Sequence, residues 1–130
     1  MYYIIWLIIG FILGFILILF ARSAFLKSEV YTLSMGLFIA ALIYTGFALI
    51  WGNINWLGIE ILGVFFYGLL AWLGIRKHIL WTALGWALHP IWDVGLHLWG
   101  PGVDITPSWY AIACISFDGA LALYLSLIHI

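Results

Sequence analysis

The chain has 130 residues, of which 68% are hydrophobic and 7% are charged, and its formal net charge is −1. A soluble domain of this size could not keep so much apolar surface from water, so the composition predicts an integral membrane protein. A net charge near zero argues against nucleic acid as a partner. The length suits one domain, which we expect over residues 1–130.

Apolar runs long enough to cross a bilayer as a helix, which takes about 20 residues, occur five times along the chain. Turn-forming or charged residues separate the runs. The sequence therefore predicts an all-α integral membrane protein with five transmembrane helices, at about residues 3–21, 30–51, 56–75, 79–99 and 108–128. A four-span alternative would leave one apolar run outside the bilayer.

The basic residues predict how these spans are oriented. All four lie in the first and third loops: Arg22, Lys27, Arg76 and Lys77. Cytoplasmic loops carry an excess of Lys and Arg, so we expect the N-terminus outside and the C-terminus in the cytoplasm. An outer interface belt of tryptophans agrees with this orientation: Trp6, Trp51, Trp56, Trp99 and Trp109.

Three ionisable residues recur every four positions in the fourth span: His89, Asp93 and His97. Such positions drift by only about 40° per step around a helix, so one face would carry all three. An unpaired ionisable group in hydrocarbon costs several kcal/mol, which makes this polar stripe a predicted functional site. Trp86 and Trp92 lie too deep for an interface belt, and we expect them in the same pocket.

Two other spans supply polar groups at similar depth. Glu60 lies in the third span, and Cys114 and Asp118 lie four residues apart on one face of the fifth. A rise of about 1.5 Å per residue places these groups and the stripe between about 3 and 15 Å from the predicted outer ends of their helices. The common depth predicts one polar pocket that opens to the outside.

A metal site is the first of four interpretations of this pocket, because histidine and carboxylates suit zinc, or iron and manganese where carboxylates dominate. His89 and His97 would lie about 12 Å apart along the helix axis, so one ion would not bind both easily. A metal would then bind His89 with Asp93 and Asp118, or His97 with Asp93 and Glu60, or there would be two metals. The preferred ligands are His89, Asp93 and Asp118, with Glu60 or His97 as general base.

The other three interpretations need no metal. Paired histidines and aspartates could pass protons or bind a cation. Cys114 could be a nucleophile activated by a histidine and an aspartate, although a lone cysteine in a membrane helix is more often a packing residue. Buried polar pairs could also simply fix the helix register, but five ionisable groups are more than register needs.

The last third of the chain carries the pattern W-x-x-H-x-x-W-D-x-x-x-H, followed after a Pro/Gly loop by C-x-x-x-D. This pattern resembles a family of small bacterial integral membrane proteins that is catalogued as a domain of unknown function. This chain has Leu96 where that family often has a further histidine, and Asp104 where an uncharged residue is expected. The resemblance implies one shared site for His89, Asp93, His97, Cys114 and Asp118, without a known activity.

A looser likeness links the pocket to membrane hydrolases of the alkaline ceramidase type, which hold zinc with histidines and an aspartate from several helices. Their H-x-x-x-H pair is absent here, so the likeness is an analogy only. It implies hydrolase-like chemistry.

The leading prediction is a metal-dependent, hydrolase-like enzyme of the bacterial inner membrane, acting on a lipid or other apolar substrate that enters sideways. The alternative is a proton or cation pathway, or an accessory subunit of a membrane complex without catalysis. Membrane lipid is the expected partner, and the protein could also form a homo-oligomer or join a larger membrane complex.

Gly10 and Gly14 form a G-x-x-x-G motif, which lets another helix approach closely. Packing against another helix of the same chain is favoured over a dimer face.

Overall fold

Helices make up all the regular structure in the part of the chain that the computed structural model describes, residues 1–23 and 28–128. Five are α-helices, and the fourth continues without a break into a π-helix of six residues, here called the π segment. In chain order they are α1 (Tyr2–Ala21), α2 (Glu29–Trp51), α3 (Ile54–Arg76), α4 (Leu80–Trp92), the π segment (Asp93–Leu98) and α5 (Ser108–Ile128). Lys27, one of the four basic loop residues, lies outside the described residues.

Local side chains fix where the helices begin. The Ser28 hydroxyl accepts a hydrogen bond from the Tyr31 amide, 3.1 Å away, at the start of α2. The Asn53 carboxamide oxygen does the same for the Trp56 amide, at 2.9 Å, at the start of α3. Both are residue types that satisfy the free amides of a first helical turn.

Four of the helices, α1, α2, α3 and α5, are long and apolar enough to cross a membrane, which is consistent with a multi-pass membrane protein. The α4 helix alone has 13 residues, but α4 and the π segment together form nineteen consecutive helical residues. That length is close to the about 20 residues that a bilayer crossing needs.

The helix changes type shortly after Pro90. The α-helix continues past Pro90 to Trp92, and the π-helical pattern then begins at Asp93. Pro90 has no amide hydrogen to donate to the turn before it, which weakens the α-helical ladder at this point. Short π-helical segments within helices are rare, and those that occur are frequently at functional sites.

Each helix packs mainly on one or two others: α1 on α5, α5 on α4, α4 on α3 and α3 on α2. The contact between α1 and α2 is slight, so the ring of helices is open between them. The core combines aliphatic and aromatic side chains from α2 to α5, including Leu33, Leu37, Tyr67, Trp86, Leu121 and Leu125.

The G-x-x-x-G motif is buried within the chain, against α5. A Cβ atom on Gly10 would overlap the Ala113 carbonyl oxygen and approach the Ser116 hydroxyl to 2.5 Å. A Cβ atom on Gly14 would lie 3.1 Å from the Phe117 carbonyl oxygen. The order of these contacts shows that α1 and α5 run parallel. Both glycines are therefore used for close packing between these two helices.

Gly10→Ala should destabilise the protein by about 1–3 kcal/mol, because the backbone of α5 must move to admit one methyl group. Gly119→Ala is the matched control, since Gly119 is exposed on α5 and its Cβ would meet no atom within 4 Å. Thermal unfolding in detergent measures both variants. Equal melting temperatures for the two would contradict the close packing of α1 on α5.

Candidate metal centre

A buried histidine and two aspartates form the main polar cluster, here called the triad. His89 lies on α4, Asp93 begins the π segment and Asp118 lies on α5. The His89 Nδ1 atom is 2.8 Å from Asp118 Oδ2 and 3.3 Å from Asp93 Oδ2. One ligand atom from each residue lies within 4.8 Å of the other two, so the group could hold a metal ion.

Aromatic rings enclose His89 in the triad. The ring of Tyr67 on α3 lies 4.7 Å from it, centre to centre, that of Tyr44 on α2 lies 5.6 Å away, and that of Trp86 lies 6.4 Å away. The Trp86 ring is itself fixed, because its Nε1 donates a hydrogen bond to the Leu33 carbonyl oxygen at 3.2 Å. These rings shield the triad from surrounding solvent or lipid.

Most carboxylate oxygens of the triad have no hydrogen-bond donor among the described residues. Asp93 is 0% exposed and Asp118 is 1% exposed. Among the described residues, neither oxygen of Asp93 has a hydrogen-bond partner, nor has Asp118 Oδ1 or His89 Nε2. The Nδ1 atom of His89 carries at most one proton, and its geometry directs that proton to Asp118. Two buried carboxylates therefore share one imidazole, which leaves the cluster short of positive charge.

A divalent cation fits this arrangement. Two donor atoms that bind one ion at about 2.1 Å lie about 3.0 Å apart in octahedral geometry and about 3.4 Å apart in tetrahedral geometry. The distances from His89 Nδ1 to the two carboxylates, 2.8 and 3.3 Å, are close to these values. A cation would also neutralise the excess negative charge and engage the free Asp93 oxygens. One imidazole and two carboxylates suit zinc, iron or manganese.

His97 and Glu60 form a second buried cluster, so the predicted stripe divides in two. His97 Nε2 lies 2.9 Å from Glu60 Oε1, and His97 Nδ1 lies 3.0 Å from the Thr106 hydroxyl. Glu60 also accepts a hydrogen bond from Trp56 Nε1 at 3.1 Å. The loop after the π segment supplies Thr106 by folding back, with the Gly102 amide donating to the Leu96 carbonyl oxygen at 2.8 Å.

Tyr44 connects the two clusters. Its ring stacks on His97 at 4.3 Å, centre to centre, and also contacts His89. Its buried hydroxyl has no hydrogen-bond partner among the described residues. The sequence patterns did not predict Tyr44 as a site residue. Its depth could have indicated that it lies near the site, because Tyr44 lies about 10 Å from the predicted outer end of its span, at the level of Asp93.

The remaining predicted pocket residues lie around the triad in different ways. Cys114 is buried on α5, one turn before Asp118. Trp92 is half-buried and packs edge-on against Tyr67, with ring centres 6.0 Å apart. Gly63 on α3 makes room for it, since a Cβ there would come within 2.8 Å of the Trp92 ring. Trp56, one of the predicted belt residues, is buried, and its Nε1 donates a hydrogen bond to Glu60.

These observations define a class of protein: in its described residues it is all-helical, four of its helices are long and apolar enough to cross a membrane, and a buried histidine–aspartate group could hold a metal ion. The chain belongs to the family of unknown function DUF6010, whose sequence profile matches residues 3–129. The match covers nearly the whole chain, where the resemblance noted from the sequence covered its last third. No curated protein and no solved structure matches the chain.

Proposed function

We propose that this protein is a metal-dependent membrane enzyme that acts on a lipid or other apolar substrate. The Asp93 carboxylate supports the proposal most directly, because it is fully buried and neither of its oxygens has a donor among the described residues. Asp93 shares the single His89 imidazole with Asp118, and a buried charge that is not fully compensated costs several kcal/mol. A divalent cation between the three triad residues would remove that cost.

The proposed topology is a single bundle over residues 1–130 that crosses the bacterial inner membrane five times. The N-terminus is outside and the C-terminus is in the cytoplasm. The parallel packing of α1 on α5 supports an odd number of crossings. The nineteen helical residues of α4 and the π segment support a fourth crossing, and the basic residues support the orientation. Membrane lipid is then the main surrounding partner.

In the proposed site His89, Asp93 and Asp118 hold the metal. A bound divalent ion supplies Lewis acidity that polarises a substrate carbonyl or phosphoryl oxygen. The aromatic rings around His89 exclude bulk water. Glu60 or His97 is the proposed proton acceptor, and the ring of Tyr44 lies between these two residues and the triad.

A metal-free proton site is the second candidate, and one distance favours it. The 2.8 Å contact between His89 Nδ1 and Asp118 Oδ2 is that of a charge-assisted hydrogen bond, which could hold and release a proton. A metal-free proton site would leave both oxygens of Asp93 without a hydrogen-bond donor among the described residues, whereas a metal site would engage them. Metal content therefore separates the two candidates.

The protein purified in mild detergent without chelator should contain about one equivalent of zinc, iron or manganese per chain, as a three-ligand site requires. Mass spectrometry of the elements gives the content, and a chelator should lower the melting temperature, because it removes a ligand of the folded state. Protein without any of these metals, and with a melting temperature that no divalent metal raises, would contradict the enzyme proposal and leave the proton site.

A further inference from the structure

A cavity of about 470 Å³ lies between α1 and α2, at the opening in the ring of helices. Its volume is within the range of about 300–1,000 Å³ that is typical of small-molecule sites. Leu13 of α1 and Ile39 and Ile43 of α2 line this cleft, and 39–50% of each is exposed on the outer surface of the bundle. In a membrane the cleft therefore opens sideways to lipid.

The buried wall of the cleft reaches the triad. Cys114 and Asp118 of α5 are part of this wall, together with Trp86 of α4. The rest of the lining is almost entirely apolar, and Gly36 of α2 leaves space where a side chain would otherwise stand. A molecule in the cleft would thus contact hydrocarbon over most of its length and meet a polar group at the triad.

The length of the cleft matches one leaflet of a bilayer. From Trp6 to Leu17 it follows α1 for about 16 Å, about half the 30 Å thickness of the hydrocarbon layer. At one end the rings of Trp6 and Trp109 lie 4.9 Å apart, an aromatic pair suited to the membrane interface. These dimensions are those of an extended hydrocarbon chain.

We propose that this cleft binds one hydrocarbon chain of a membrane amphiphile and holds it against Asp118 and Cys114. The inference rests on the proposed function, because the chain is a substrate only if the triad is a reaction centre. It narrows the substrate to amphiphiles with at least one extended chain that enter from the lipid between α1 and α2.

A fatty acid with a diazirine in the middle of its chain tests the proposal by photolabelling the full-length protein in vesicles. Labels should concentrate on cleft residues such as Leu13, Ile39 and Ala113. Gly36→Leu should lower this labelling by about tenfold, because its side chain replaces the packing contacts of the bound chain. A Cβ on Gly36 would lie 3.4 Å from the Trp86 ring and 3.8 Å from Leu17, which are ordinary contacts.

Gly46→Leu is the matched control on the same helix, because a Cβ there would meet no atom within 4 Å. Ala40→Leu, which also points into the cleft, serves if Gly36→Leu does not fold. Labels spread evenly over the exposed helix faces, or unchanged by both cleft variants, would overturn the inference.

Metal content measured on the same samples distinguishes the failure of this inference from the failure of the proposed function. Cleft labelling of a protein without metal would contradict the enzyme alone, and a metal-loaded protein without cleft labelling would contradict the chain site alone.

Discussion

Asp93→Asn should lower the affinity of the protein for its metal by more than about 100-fold, since changes of residues that only support metal ligands already cost about 10–100-fold. The neutral amide keeps the shape of the side chain but removes one of the two negative charges that face His89. Elemental analysis and metal titration of the detergent-purified variant measure the loss.

Breaking a buried ion pair ordinarily lowers the stability of a protein, but Asp93→Asn should not lower the stability of the metal-free protein. Asp93 is buried, accepts no hydrogen bond from the described residues and shares the His89 imidazole with Asp118. Its charge is therefore only partly compensated in metal-free protein, which lowers the stability of the fold. Asp93→Asn should therefore melt at the same temperature as metal-free wild-type protein or higher. Residues of a functional site often lower the stability of the fold while they serve binding or catalysis, and we expect this of Asp93.

Asp104→Asn is the matched control, because it makes the same chemical change on an exposed loop. It should leave both metal content and melting temperature unchanged. If Asp93→Asn retained its metal, the ligand assignment would be wrong. If it instead unfolded the metal-free protein, Asp93 would have a structural role as a partner of His89.

Glu60→Leu should destabilise the protein by about 3–5 kcal/mol, the typical cost of removing one member of a buried charged pair. The change removes the carboxylate that lies 2.9 Å from His97 Nε2, and it leaves Trp56 Nε1 without its acceptor. Glu60 and His97 are both 1% exposed or less. Glu60→Gln should cost less, because its carboxamide oxygen can still accept the hydrogen bond from Trp56 Nε1. Chemical or thermal unfolding in detergent gives the free energies.

The metal content of folded Glu60→Gln protein should equal that of the wild type, because Glu60 is bound to His97 rather than to the triad. Glu29→Gln is the control for the change itself. Glu29 is half-buried at the other end of the bundle, where it accepts a hydrogen bond from the Tyr124 hydroxyl. Glu29→Gln should lower the free energy of unfolding by about 1 kcal/mol, because it weakens this hydrogen bond. Loss of metal from Glu60→Gln would mean that the two clusters form one site.

The helices and their ends could be predicted closely from the sequence. The four long spans agree with the observed helices to within two residues, and α5 ends as predicted. Hydrocarbon offers no hydrogen bonds, so every apolar run must satisfy its own backbone as a helix, and only polar or turn-forming residues can end it. The number of crossings and their orientation stay predictions.

Part of the triad could also be read from the chain. His89 and Asp93 are four residues apart, and this local spacing puts them on one face of a helix whichever way that helix packs. Asp118 lies on a different helix, and only its similar depth indicated that it would join them. The structure brings all three residues together.

The sequence by itself determined the class, the helices and the local spacing of the polar residues, because these depend only on composition and on backbone geometry. Tertiary structure decided that His97 turns to Glu60, that Tyr44 stacks between the clusters and that a cleft opens between α1 and α2. The physical reason is that the long spans are apolar on every side, so periodicity does not show which face turns inward. Their order and rotation follow from the fit between distant side chains, such as Gly10 against Ala113 and Gly63 against Trp92.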